Sequence, residues 1–291
     1  MPVRVKPNLS YLIGADPELF LVNSSGAFVS AHNVIPGTKV NPCGVLGGAI
    51  QVDGTAAEFN IHPAGDEDAF AENIRDVVIE LQGRVSANNP DLFLQVMPTA
   101  HYDAKYFKYL PKKAKELGCD PDFDAYTGKP NIKPKTSLPM RTGGGHIHLG
   151  WGKDFPLDDA HLFDCRELVK QLDAVLYHCS LLWDDDATRR QLYGKVGSFR
   201  PKTYGVEYRP LSNAWVADPD LQKWVFRAAK WAALQLDDGN MLYDRPTALE
   251  MLHYAKRGES LLRHHVIDYH DYLVVEHDMP PLPDGYTRSI Q

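Results

Sequence analysis

Apolar residues along this chain recur at two different periods, and the two kinds of stretch take turns. YLIGADPELFLVN and GAFVSAHNV read as strands joined by a turn at Asn23-Ser24-Ser25-Gly26. GGAIQVDGTAAEFNIHP reads as a further strand or hairpin bent at Gly54. From Asp66 to Ala87 the positions Phe70, Ile74, Val77, Val78, Leu81 and Val85 follow helical spacing, with Asp66 or Asp68 as the cap. DLFLQVMP is a short apolar strand ended by Pro98. Residues 108–139, rich in Lys, Pro, Asp and Gly, read as a long irregular excursion, and loops of that length in compact proteins are often functional. A glycine-led strand, TGGGHIHLGWG, follows. The next helix runs from about Asp158 to Cys179, with Leu162, Cys165, Leu168, Val169, Leu172, Val175 and Leu176 on its inner stripe. TYGVEYRPLS is a strand, Asp218 to Leu236 a helix, and helical pieces continue to about Glu276. The proline-rich HDMPPLPDGYTRSIQ is expected to be a loosely held tail.

Strands that come in pairs, separated by helices, predict an α+β fold with a mainly antiparallel sheet. The expected organisation is one domain over residues 1–276, with an insertion at about 108–139 and a tail at 277–291. The chain has 291 residues and a formal net charge of −7, with no long basic run, so charge gives no support to a nucleic-acid partner. No apolar run is long enough to span a bilayer, and the first residues lack a secretory signal's apolar stretch. Four scattered cysteines without a C-x-x-C pair argue against a disulfide framework or structural zinc. The expectation is a cytoplasmic protein.

The candidate chemistry lies in pairs of residues two apart, which a strand points to one side, ~7 Å apart. His146 and His148 form one such pair, Asp16 and Glu18 a second, Glu207 and Arg209 a third. The glycines beside the histidines mark a place where a ligand or another backbone comes close. Asp53 and Glu58 are oddly spaced and share a face only if a bulge, allowed by Gly54, intervenes. Any single pair also fits the solvent side of a half-exposed sheet. Together, carboxylates and an imidazole suit Mg²⁺ or Mn²⁺, and arginine beside them suits phosphate. The combination points to metal-bound nucleoside triphosphate. Lys195, Arg200 and Lys202 in GKVGSFRPKTYG add positive charge just before Glu207, or form an ordinary basic surface loop. Neither the P-loop nor the dinucleotide fingerprint is present.

The order of these motifs resembles the glutamine synthetase and glutamate–cysteine ligase superfamily of carboxylate–amine ligases, and more closely its phage-type branch, COOH·NH2 ligase type 2. GADPELFLV is similar to the superfamily's G-x-E-x-E-F strand, with Asp16 in place of the first glutamate. GGGHIHLGW is similar to G-S-G-x-H-x-H-x-S-L-W, and SFRPKTYGVEYRPLSNAW to an arginine followed by E-x-R and N-P-Y. The resemblance runs from about Gly14 to Trp215. It implies a curved, mainly antiparallel sheet that forms a funnel-like active site, with helices packed on its outer face.

It also implies two principal metal sites. Glu18 and Glu58, with Asp53, would hold one ion near the amine side; Asp16, His146 and Glu207 would hold the second between the nucleotide phosphates. His148 and Arg200 would contact ATP phosphates, with Lys195 and Lys202 beside them, and Arg209 the transferred phosphoryl group or the substrate carboxylate. Asp16 is one methylene shorter than the family's glutamate, and the Asp53–Glu58 spacing is shorter than in glutamine synthetase. LGCDPDFDAYTGKPN has no counterpart in the classical enzyme, so Asp120 and Asp122 there, with Arg141, are the candidates for substrate binding. The implied activity is ATP- and Mg²⁺- or Mn²⁺-dependent amide formation through an acyl phosphate, with Arg200, Glu207 and Arg209 at the reacting centre. The partners would be a small-molecule or peptide carboxylate and amine, and a homo-oligomer is left open. The rival readings are a guanidino-kinase-like phosphotransferase and an inactive phage or host-interaction protein on the same scaffold.

Overall fold

The computed structural model describes residues 10–115, 122–132, 138–257 and 263–287. Its strands, in chain order, are β1 Leu12–Asn23, β2 Phe28–Val29, β3 Cys43–Val45, β4 Gly48–Asp53, β5 Ala56–Ile61, β6 Leu92–Gln95, β7 Thr99–His101, β8 Phe123–Asp124, β9 Met140–Thr142, β10 Gly145–Gly150, β11 Ser198–Lys202 and β12 Gly205–Tyr208. Eight of them run across one sheet in the order β3-β4-β5-β1-β10-β12-β11-β8, while β2 and β6 branch from the far end of β1. Every pairing between these strands is antiparallel. The fold is therefore α+β, as the alternation of strand pairs and helices predicts. β7 and β9 form a separate two-stranded ribbon.

Strand pleat sorts the residues into two faces. Ile13, Ala15, Leu19 and Leu21 of β1, Ile147 and Leu149 of β10, Val206 and Tyr208 of β12, and Ile50 and Phe59 of the β4–β5 hairpin are buried in one core. That core is closed by helices Glu67–Asn88 and Asp159–Leu172, which pack on the strands, and Pro219–Asp237, which packs on both of them. Each begins at an aspartate whose side chain accepts from a backbone N–H of the first turn: Asp66 from Ala69, Asp158 from His161 and Asp218 from Asp220. Phe70 of the first helix stacks on Trp215 and meets Phe226 of the third. Fully burying an aromatic or large aliphatic side chain contributes about 1.5–3 kcal/mol, so this face holds the molecule together. The opposite face carries the charged residues.

Four expectations change. GAFVSAHNV pairs only at Phe28–Val29. The excursion is less irregular than its composition suggests, for Ala104–Tyr109 and Lys112–Lys115 are helical and Phe123–Asp124 extends the sheet beside β11. The basic stretch before Glu207 is strand β11 rather than a loop, joined to β12 through Thr203 and Tyr204. The last described residues are tied down rather than loose: Met279 and Leu282 are buried, Trp224 Nε1 donates to the Pro280 carbonyl at 2.8 Å, and Tyr286 donates to Asp218 at 2.7 Å. Of the described residues, no helix is long and apolar enough to cross a membrane.

Candidate active site

The register decides which polar residues meet. Asp16 on β1 lies opposite His146 on β10, and Gly14 opposite His148. His148 lies opposite Glu207 on β12, which in turn lies opposite Arg200 on β11. On the other side of β1, Glu18 lies opposite Glu58 on β5. Four neighbouring strands thus place their i, i+2 pairs on one face, which is what a period of two requires once the register is set.

Asp53 joins them by a route different from the one expected. Its partner is Ala56, and Gln51 is the partner of Glu58, so β4 and β5 form a tight hairpin through Gly54 and Thr55, with Gly54 at φ 60°. Residues diagonal across an antiparallel pair share a face. No bulge is needed to bring Asp53 and Glu58 to the same side.

The central cluster contains Asp16, His146 and Glu207, each offering one ligand atom within 4.8 Å of the others. Asp16 Oδ1 is 3.2 Å from His146 Nδ1 and 3.1 Å from His148 Nε2. Glu207 is fully buried and ringed by cations: Arg200 Nη1 at 3.1 Å, Lys202 Nζ at 2.7 Å, and Arg209 Nη1 in direct contact. His148 Nδ1 is hydrogen-bonded to the Tyr204 hydroxyl in the β11–β12 turn.

Glu18, Asp53 and Glu58 form a second, looser acidic set; among the described residues only Asp16, His146 and Glu207 bring three ligand atoms within 4.8 Å of one another. Glu18 Oε2 accepts from the Gly144 N–H at 2.9 Å. Asp53 Oδ2 takes both Arg141 Nη2, at 3.0 Å, and Lys39 Nζ, at 2.9 Å. Glu58 is buried, and its Oε2 has no hydrogen-bond partner among the described residues.

Electrostatics follows from these neighbours. Burial would raise the Asp16 carboxyl, yet His148 and His146 outweigh it and hold it well below the usual carboxylate range. Burial also opposes ionisation of Glu207, but Arg209 and the histidines keep its carboxyl low. Glu58 lacks such help: burial, with Asp16, Asp53 and Glu18 adding repulsion, pushes its carboxyl well above the usual range. Burial and the Arg209 guanidinium pull His146 below its ordinary value, against Asp16, which favours the neutral imidazole that a metal ligand requires.

The glycine run has a structural cause. A Cβ on Gly145 would lie 2.2 Å from the Ser212 carbonyl oxygen and 2.5 Å from Trp215 Nε1, which donates to the Gly145 carbonyl at 3.0 Å. Another stretch of backbone, rather than a ligand, comes close here. It presses the start of β10 into place and so fixes His146.

Of the remaining sequence candidates, Arg141 sits on β9 and reaches Asp53. Asp122 lies 3.5 Å from Arg209 Nε, beside the basic ring. Lys195 is exposed in the turn before β11, and no contact ties it to the cluster among the described residues, so it is not gathered with Arg200 and Lys202. Asp120 lies outside the described residues. Three residues of the site were not singled out from sequence. Lys39 comes from a distant loop, and Tyr204 orients His148. Arg189 is fully buried and donates to the carbonyls of Gly143, Pro210 and Arg209 at 2.9, 2.6 and 3.2 Å, fixing both the glycine run and the arginine strand end.

A cavity of about 600 Å³ opens beside the central cluster, with Asp16, Glu58 and His148 in its wall. Leu12, Ile61, Pro63, Trp151 and Tyr204 make the rest largely apolar, and Lys153 also lines it.

No curated protein matches the chain. A solved structure described as a novel glutamine synthase homolog is similar at 13% identity and a TM-score of 0.39, covering 89% of this chain; this chain spans 65% of that one. Residues 136–278 match the family model described as phage phiEco32-like COOH.NH2 ligase-type 2. The family that the motifs resemble is thus also the one whose model fits this chain, over the stretch that supplies His146, His148, Arg200, Glu207 and Arg209.

Proposed function

We propose that the protein is a carboxylate–amine ligase that uses ATP and divalent metal ions to form an amide. The observation that carries this reading is the convergence of Asp16, His146 and Glu207 within 4.8 Å, ringed by Arg200, Lys202 and Arg209, beside a mostly apolar cavity whose wall Asp16 shares.

The donor set suits the implied ions. Asp16, Glu207 and His146 offer two carboxylates and an imidazole, a combination that hard divalent cations accept. In the second, looser set, the unpartnered Glu58 oxygen supplies a ligand atom with no competing bond, Glu18 lies opposite Glu58 across β1 and β5, and Asp53 is held by Arg141 and Lys39. When bound, such ions offset phosphate charge and polarise the oxygens of the group in transfer.

The chain's own residues carry the rest. A carboxylate resists attack by an amine because its charge repels the nucleophile and its oxygen leaves poorly. Phosphorylation of that carboxylate by ATP gives an acyl phosphate and ADP; the amine then displaces phosphate, yielding the amide and losing a proton. Arg200, Lys202 and Arg209 are fixed by Glu207 in positions where negative charge shifts during both displacements, which is where preorganised donors are most effective. His148, oriented by Tyr204, faces the cavity, whose apolar wall suits the base and sugar of the nucleotide. Arg141 and Asp122, the latter beside Arg209, would face the substrates.

The test is a panel of acids and amines incubated with Mg²⁺ and ATP, with ADP measured and products read by mass spectrometry. A condensed product that forms together with ADP supports the proposal. ADP with a phosphorylated product and no amide would favour a phosphotransferase. Failure to bind nucleotide in the presence of metal would favour a scaffold without activity.

A further inference from the structure

The acidic set at the β4–β5 hairpin holds a cation of the protein's own on a loop that is anchored where it needs to be. Thr38 and Asn41 exchange backbone hydrogen bonds of 3.0 Å, making a tight turn with Lys39 in it. The turn is pinned to β4, since Thr38 bridges Val52 and the Val52 N–H donates to the Gly37 carbonyl at 3.3 Å. Gly37 has φ 90°, and a Cβ there would fall 2.2 Å from the Ile50 carbonyl oxygen, so the close approach requires glycine. From this fixed base the Lys39 side chain extends to Asp53 Oδ2, with 45% of its own surface exposed against 9% for Asp53.

Charge balance shows what this contact does. Glu18, Asp53 and Glu58 bring three negative charges at most, and Arg141 and Lys39 bring two positive ones. A divalent ion added to all five would leave an excess of one positive charge; with Lys39 withdrawn, the set is neutral. Arg141 is buried, whereas Lys39 is half exposed on a flexible stem. The unpartnered Glu58 oxygen gives an incoming ion its own place to bind.

We infer that Lys39 is a resident counter-ion of this set, that its ammonium swings away when a divalent cation enters between Glu18 and Glu58, and that Lys39 thereby sets the affinity for that ion. The inference rests on the metal-binding reading proposed above. It makes Lys39 a positioning residue, since it acts through Asp53 and on the occupancy of the site.

The test is Mn²⁺ binding to the full chain, without nucleotide, by isothermal titration calorimetry. Lys39→Met and Lys39→Gln should bind Mn²⁺ about two- to fivefold more tightly, the amount a partly exposed ion pair is worth. Lys39→Arg should show no gain, and Glu58→Gln added to Lys39→Met should remove the gain. Lys39 is at the surface, so the melting temperature of each variant should stay near that of the wild type. Equal or weaker Mn²⁺ binding in Lys39→Met, with wild-type binding intact, overturns the role of Lys39 alone. No Mn²⁺ binding in either protein overturns both this inference and the metal-dependent reading beneath it.

Discussion

Glu207 and Arg200 stand directly opposite one another on β12 and β11, with Arg200 Nη1 3.1 Å from Glu207 Oε1 and 3.2 Å from Oε2. The same carboxylate also pairs with Lys202 and Arg209, and it belongs to the group with Asp16 and His146. One buried anion therefore joins the positive half of the site to the group that could hold a metal ion. An arrangement of this kind serves chemistry better than stability, because the desolvation of buried ions offsets much of what their pairing contributes.

Glu207→Gln separates those roles. The amide keeps the shape and still accepts hydrogen bonds, but it removes the charge that fixes three cations. Turnover in ATP-dependent product formation should fall by ~10²–10³-fold, as for other charge-organising groups, while circular dichroism stays native. Near-normal turnover would remove Glu207 from the reacting centre. His146→Ala should act in parallel through weaker Mn²⁺ binding.

Much of this site was readable from spacing alone, and the failures have identifiable causes. Asp16 with Glu18, His146 with His148 and Glu207 with Arg209 announce a shared face through the period of two, whatever the register turns out to be. Asp53 and Glu58 could not be placed that way, since reading them as one strand demanded a bulge, whereas the chain folds back at Gly54 and Thr55. Arg200 and Lys202 looked like loop residues because Pro201 and nearby glycines interrupt the pattern; β11 tolerates Pro201 because β8 pairs only as far as Ser198 and Phe199 and leaves that edge open. Met279 and Leu282 were hidden among prolines that suggest a free tail. Arg189 gave no sequence signal, since its partners are carbonyls, which every residue carries.

Arg189 should prove indispensable to the shape of the site. It is buried without exposure to water and serves three carbonyls at once, and burial pulls its guanidinium down to about 10, against the attraction of Asp184 and Glu18. Arg189→Met leaves those carbonyls unsatisfied, at about 1–3 kcal/mol for each buried group that finds no water. The variant should melt at a markedly lower temperature, and any folded fraction should show reduced turnover because Gly143 and Arg209 lose their common anchor. A melting temperature equal to that of the wild type would mean water replaces the guanidinium without cost.

Gly145→Ala tests the packing of the histidine strand. The added methyl would sit 2.2 Å from the Ser212 oxygen and 2.5 Å from Trp215 Nε1, and backbone cannot move away as a flexible side chain would. Overpacking of this kind typically costs about 1–3 kcal/mol. Urea unfolding should show that loss, and Mn²⁺ affinity should decline with it as His146 shifts. Gly26→Ala, where a methyl meets nothing within 4 Å but φ is 80°, provides the comparison: its loss should come from backbone strain alone, with metal affinity unchanged.

Asp173 carries the clearest expectation for pH. It begins a π-helical turn on the core side of the sheet, where its two oxygens accept from Tyr208 at 2.8 Å and Tyr126 at 3.1 Å. Burial pushes its carboxyl from 3.8 up to about 8, even though hydrogen bonds from Tyr208, Tyr126 and the Gly197 backbone favour the ionised form. Between those two values the folded protein holds a proton that the unfolded chain has released. Stability must therefore decline as pH rises through that window, and below it the group contributes no pH dependence. Asp173→Asn removes the titration while keeping one acceptor and supplying a donor for the tyrosines. Measured by urea unfolding across pH, the variant should gain on the wild type steadily as pH climbs towards about 8. A difference that stays flat across the same range would show that Asp173 is already ionised in the folded state, with the two tyrosines sufficient to hold its charge.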